Sequence, residues 1–475
     1  MRDYSSLATF RIEKAQDRSK VLLEQIRRLE SDVYASPASG LLLKFVKDCA
    51  VTLTEFLRNE HSLAVSRLLK PEETEIRVQR ATKVIPLLHA ILGFLAGSQI
   101  NETPSQLVLA LRRYVCDSLP GSDIIVSSKP ELNYSITEIA SRLKGLFRGT
   151  PMEASCSQLP SYLFVVTLPA VEREQVLLHG IVSHELGHPL SKQHQIPAKI
   201  LRNLPPREDL IKQHVQKVSA QSSREPGITA LPPPLVELLI RSHVTTEVNE
   251  RVARWLRELC SDAIGVRLFG PAYYFAFAHF FLSFAHLDRA SRTHPPARLR
   301  LRLMGRVLAQ KYSFDRPEEK EMEEFFRVFS AVTSKKVVCR DPYDQIAVDH
   351  LEDDAVLGLI CKEADACLST LKCYSQEDHR KDIRELAPLL INLIPPGETG
   401  PLGKENGVSI VSILNAGWFV YLCKFSVFTN NLHKSEREEL LATDRLQRIL
   451  LKALEITETR TKWQEATRDL GRKTD

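Results

Sequence analysis

The stretch VLLHGIVSHELGHPL, running from Val176 to Leu190, carries His184-Glu185-Leu186-Gly187-His188 on a background of Val176, Leu177, Ile181, Val182 and Leu186. These apolar positions recur at helical spacing, so the segment is predicted to be an amphipathic helix. On that helix the two histidines stand four apart and share one face, near enough for both imidazoles to bind one Zn²⁺. Glu185 is the candidate catalytic base, because zinc lowers the pKa of water toward neutrality and a carboxylate beside it can take up the proton. Gly187 costs up to about 1 kcal/mol in a helix interior, which points to close approach by another element. Pro189 disfavours the α conformation at His188, placing that ligand on the last turn or beside a kink.

A zinc site of this kind needs a third protein ligand, and the helical pattern from Val244 to Phe269 offers one in WLRELCSD, Trp255 to Asp262. Glu258 and Asp262 are four apart on one face, an arrangement that is mildly unfavourable unless a cation or an imidazole N–H lies between them. The expected roles are Glu258 as metal ligand and Asp262 as acceptor of a hydrogen bond from a ligand histidine. Trp255, Leu256, Leu259 and Ala263 make that face partly buried rather than a solvated acidic one.

Outward from this centre, DIIVSS (Asp123 to Ser128) and YLFVVTLP (Tyr162 to Pro169) are β-favouring and predict a small sheet, whereas Ser5 to Leu119 is helical in period. The run Tyr162 to Thr167 is a candidate edge strand for an extended peptide. Between Asn203 and Pro234 the prolines predict a surface loop or lid, and PPGETGPLGKEN (Pro395 to Asn406) a second loop. The fold class expected is mainly α with a small β-sheet, a zincin-like metallopeptidase core between helical regions. The expected divisions are 1–120, 121–310 and 311–475.

HELGH, then ELCSD after 70 residues, then Gly270-Pro271-Ala272-Tyr273 and His294-Pro295-Pro296 with Arg298, resembles the gluzincin metallopeptidases of the HtpX and CAAX prenyl endopeptidase type. The resemblance covers about Tyr162 to Arg302. It implies zinc held by His184, His188 and Glu258, base catalysis by Glu185, support from Asp262 and endopeptidase activity. His294 is either a donor to the oxyanion of the tetrahedral intermediate or a loop histidine before a helix start. His179, His279 and His286 read as core histidines. The basic run with Arg298, Arg300, Arg302 and Arg306 reads as a solvated helix face, with a phosphate patch as the alternative.

The net charge of +5 is spread along the chain with no basic block, which argues against nucleic acid. The nine cysteines are odd in number and contain no C-x-x-C pair, the usage of a cytoplasmic protein with reduced thiols. Ala272 to Leu287 and Val408 to Cys423 are apolar but shorter than the roughly 20 residues of a membrane span and hold His or Asn, so they are expected to be buried helices. The function expected is a zinc-dependent endopeptidase acting on a protein or peptide substrate. The alternative is a regulatory or scaffold protein that keeps this fold and recruits a protein partner through its helical flanks.

Overall fold

The computed structural model describes residues 4–66, 71–204, 208–222, 233–284, 287–397 and 408–471. It is mainly helical, with one small sheet. The chain forms two compact units: one comprises Met1–Glu174, Pro401–Ile410 and Leu454–Asp475, and the other Gln175–Gly400 and Val411–Ala453. The division therefore falls at Glu174, whereas the sequence reading divides the chain at 120 and 310.

In the first unit, helices α1 (Tyr4–Leu29), α2 (Pro37–Val65), α3 (Pro71–Thr82), α4 (Val84–Gly97) and α5 (Ser105–Ser118) precede strands β1 (Ser122–Lys129) and β2 (Ser135–Glu138). Helix α6 (Ala140–Phe147) and strand β3 (Tyr162–Pro169) follow. One core joins the helices to the sheet through Leu42, Phe45, Leu53, Leu88, Ile125 and Val165. The strand order is β1-β3-β2, with β3 parallel to β1 (Ile124 opposite Phe164) and antiparallel to β2 (Ile136 opposite Val166). Tyr162 to Thr167 is thus the central strand, not an edge. Both of its hydrogen-bonding sides are taken, and a peptide cannot add there. The helical run Glu75–Gly97 is long and apolar enough to cross a membrane by length and composition, but its Ile85, Leu88, Ile91 and Leu95 lie in this core.

The second unit opens with α7 (Val182–Gln193), α8 (Ile196–Asn203), α9 (Glu208–Ser222), α10 (Pro233–Phe269) and α11 (Pro271–Phe284). It continues with α12 (Ala297–Lys311), α13 (Lys320–Thr333), α14 (Pro342–Leu351), α15 (Asp354–Cys367), α16 (Gln376–Glu385) and α17 (Ala387–Ile391). Helices α18 (Ile410–Cys423) and α19 (Phe425–Asn430) follow, and α20 (Glu439–Gly471) belongs to this unit as far as Ala453. Residues 272–278 of α11 and much of α18 are buried, as their apolar sequences predict.

Two local expectations are corrected. The segment between Asn203 and Pro234 is not all loop, since Glu208–Ser222 is helical, with Val215 buried and the His214 ring 5.4 Å from that of Tyr343. Its prolines sit only outside this stretch, at 205–206, 226 and 232–234; 205–207 and 223–232 lie outside the described residues, as do most of Pro395 to Asn406. Helix α7 also continues to Gln193, so of the two placements expected for His188 the last turn falls away and the one beside Pro189 within the helix is left. Pro189 sits inside the helix and forgoes only the one hydrogen bond its missing N–H would have donated to the carbonyl of Glu185.

The contact between α7 and α10 explains Gly187. A Cβ at this position would lie 2.6 Å from the Ser261 carbonyl oxygen and 2.7 Å from its Cα, which is backbone that cannot swing aside. Gly187→Ala is expected to lower stability by about 1–3 kcal/mol through overpacking, whereas the same change at an unobstructed helix position gains up to about 1 kcal/mol. A thermal melt of the full chain checks the sign, and an unchanged or raised Tm would contradict the close approach.

Candidate metal centre

Helices α7 and α10 bring the predicted residues together. His184 and Glu258 are buried and His188 is partly so, and one side-chain ligand atom from each of the three lies within 4.8 Å of the other two. The closest approaches are His184 Nε2 to Glu258 Oε2 at 3.3 Å and His188 Nε2 to Glu258 Oε1 at 3.7 Å. The imidazole rings meet edge to face, 4.8 Å between centroids. Among the described residues, this is the group whose donors converge closely enough to hold a metal ion.

The other nitrogen of each histidine is tied back to α10. His184 Nδ1 lies 2.8 Å from Asp262 Oδ1. His188 Nδ1 lies 3.0 Å from Ser261 Oγ, whose own hydroxyl donates to the Arg257 carbonyl at 3.0 Å. Since Ser261 spends its proton on that carbonyl, its oxygen accepts from His188 Nδ1–H. Both rings are then protonated at Nδ1 and present Nε2 toward Glu258, the orientation a metal ligand needs. Glu258 Oε2 is buried without a hydrogen-bond partner of good geometry. The cation nearest to it is the His184 ring, whose Nε2 stands 3.3 Å away, and a metal ion held there would take over the compensation of this buried charge. The donor set of two imidazoles and one carboxylate fits zinc.

Asp262 is the most heavily bonded group in the centre. It is fully buried and accepts from Tyr273 Oη at 2.5 Å, from Arg300 Nε at 2.8 Å and from Arg300 Nη2 at 2.7 Å, besides facing His184. The Arg300 guanidinium in turn lies over the Phe277 ring, 4.4 Å from its centroid. Burial opposes ionisation of Asp262, but Arg300 and His184 hold its carboxyl well below the usual range. Burial and the Arg300 cation also act against a proton on His184, yet Asp262 and Glu258 outweigh them and bring it up to about 9. Burial, then the His184 charge, lowers His188 to about 4. Glu258 is raised by burial but brought down to about 2 by His184 and Arg300.

Glu185 is buried on the first turn of α7, next to His184. His294 is exposed on the connection between α11 and α12, with Nε2 3.6 Å from Glu258 Oε2 and Nδ1 2.9 Å from Thr293 Oγ1. That connection is anchored by the Trp255 indole, which donates to the Ser291 carbonyl at 3.0 Å. The site is thus open on the side of His188 and His294.

The basic run does not form a solvated face. Arg300 is buried in the centre, Arg298 pairs with Asp288 at 2.5 Å, and Arg302 pairs with Glu352 at 2.8 Å. The cation that reaches the acidic pair is Arg300 rather than Arg298. His179 is buried as expected, whereas His279 is exposed on α11 beside Trp418 and Tyr421, and His286 lies outside the described residues. Ser261, Tyr273 and Arg300 are the participants that sequence reasoning missed. Of these, Arg300 left a signal: it falls on the stripe of Leu303, Met304 and Val307, all buried.

No protein-family model, curated protein or solved structure matches the chain.

A metal bound at His184 must displace the proton that the two carboxylates hold there. Apparent zinc affinity is therefore expected to rise by about tenfold per pH unit through neutrality and to level off only near 9, where His184 is neutral without help. His188, already neutral above about 4, adds nothing in this window. Competition titrations against a chromophoric chelator at several pH values check this. A plateau near the ordinary histidine value of about 6.5 would contradict the proton assignment.

Proposed function

We propose that the protein is a zinc-dependent endopeptidase with a zincin-like core, of the gluzincin type that its motifs resemble. The observation that carries this reading is the convergence of two imidazole Nε2 atoms on the buried Glu258 carboxylate, His184 Nε2 3.3 Å from Oε2 and His188 Nε2 3.7 Å from Oε1. A lone HELGH sequence does not require that. His184, His188 and Glu258 would hold the ion, and zinc would supply a Lewis acid that makes water nucleophilic near neutral pH.

The roles of the chain's own groups follow from position and chemistry. Glu185 accepts a proton from the attacking water and returns it to the amine nitrogen as the peptide C–N bond breaks. His294, on the open side, donates to the carbonyl oxygen as it gains negative charge. Asp262, with Arg300 and Tyr273, keeps His184 in the tautomer that presents Nε2. Substrate enters past His188 and His294, the open side of the site. The cysteines, none of which is in a disulfide among the described residues, support a reducing, cytoplasmic setting.

Glu185→Gln should retain one zinc per chain while hydrolysis of an unbiased peptide library falls by about 10²- to 10⁴-fold. Zinc by elemental analysis and cleavage products by mass spectrometry read the two halves separately. A wild-type chain that holds zinc but cleaves nothing beyond the level of Glu185→Gln would overturn the enzymatic reading in favour of a scaffold that has kept the fold.

A further inference from the structure

Away from the candidate metal centre, the last turn of α10, the end of α12 and the segment after α15 line a half-open cavity of about 430 Å³, within the range of small-molecule sites. Arg267 lines it and is itself 4% exposed. Among the described residues the acid paired with this guanidinium is Asp365, whose carboxylate oxygens lie 2.7 and 2.8 Å from Nη2. Arg267 Nε and Nη1 are buried without an acceptor. A buried guanidinium normally saturates its donors, and leaving two unmade is expensive. Burial accordingly pulls the Arg267 pKa below its ordinary value.

Neither Nε nor Nη1 is open to water, so what Arg267 presents to the cavity is its positive charge rather than these donors, and the rest of the lining decides what that charge could hold. Lys311 stands at the rim, 3.8 Å from Asp365, so two cations face one carboxylate and the local balance is one positive charge. Leu368 and Leu371 are apolar walls, and the Tyr312 and Tyr374 rings lie nearly parallel, 6.3 Å apart. Their hydroxyls are already used, Tyr312 donating to the Tyr374 carbonyl and Tyr374 to Asp382, each at 2.7 Å. The tyrosines therefore offer carbon faces. We propose that this cavity binds a small organic carboxylate with an apolar body, its charge neutralised by Arg267 and Lys311 and its body held between the leucines and tyrosines. A monoanion matches the balance of one positive charge, whereas a phosphate dianion would leave excess negative charge beside Asp365.

The site does not depend on the metal and can be tested without it. Isothermal titration of the full chain with benzoate and hexanoate should give saturable binding for at least one of them. Benzamide, which has the body without the charge, should not bind, and inorganic phosphate should bind more weakly. Arg267→Gln should abolish carboxylate binding while zinc content stays at the wild-type level. Asp365→Asn, which removes the competing carboxylate and leaves Arg267 in place, should tighten binding about tenfold, and this variant decides the matter if Arg267→Gln does not fold. The proposal fails if neither carboxylate saturates, if benzamide or phosphate binds as well, if Arg267→Gln still binds, or if Asp365→Asn leaves the affinity unchanged.

Discussion

The candidate centre depends on one buried carboxylate. Asp262, on α10, is approached by His184 of α7, Tyr273 of α11 and Arg300 of α12, so four helices meet at a single negative charge. A carboxylate taken out of water costs several kcal/mol unless it is paired and hydrogen-bonded, and here both oxygens are bonded, Oδ1 by Tyr273, Arg300 and His184 and Oδ2 by Arg300. The demand runs the other way as well. Arg300 is buried and needs Asp262, and His184 takes its ring orientation from the same oxygen that Tyr273 binds. None of these side chains can turn away without leaving a buried charge or donor unmatched, and the His184 ring is held in place from behind.

That arrangement separates the two acids that sequence spacing treats alike. Asp262 is surrounded by donors from protein, whereas Glu258, one turn earlier, has an oxygen with no well-aligned hydrogen bond, met only by His184 Nε2 at 3.3 Å and His294 Nε2 at 3.6 Å. The same helix therefore carries one carboxylate committed to structure and one available to a ligand. Arg267, five residues past Asp262, repeats the contrast in the opposite sign: Arg300 is matched by Asp262, while Arg267 keeps two donors unmade beside a cavity. A long helix, α10, thus lines both the candidate metal centre and the cavity beside Arg267.

The elements of the centre that could be read from sequence were those whose geometry is local. His184 with His188 and Glu258 with Asp262 are pairs at a spacing of four, and a helix alone puts each pair on one face. The small sheet was legible for the same reason, from β-branched runs. What depends on distant pairing was not legible: β3 is central only because β1 and β2 flank it from separate stretches of chain, and the alternation of Arg and Leu in RLRLRLMGR hid which arginine faces inward. Helix α9 is hard to read because prolines at both ends of the segment mask its middle, where Ile211 and Val215 stand at helical spacing. Ser261 left no trace, since a serine between Cys260 and Asp262 is noteworthy only once His188 is known to lie 3.0 Å away.

The claim that His184, His188 and Glu258 form the zinc site is tested most directly by X-ray absorption at the zinc edge on the full-length chain purified without chelators. The geometry predicts one zinc per chain in a shell of nitrogen and oxygen only, with imidazole scattering from two histidines at about 2.0–2.1 Å. A sulfur contribution near about 2.3 Å, which would move the metal to the cysteines, or a chain that neither contains nor takes up zinc, would contradict it.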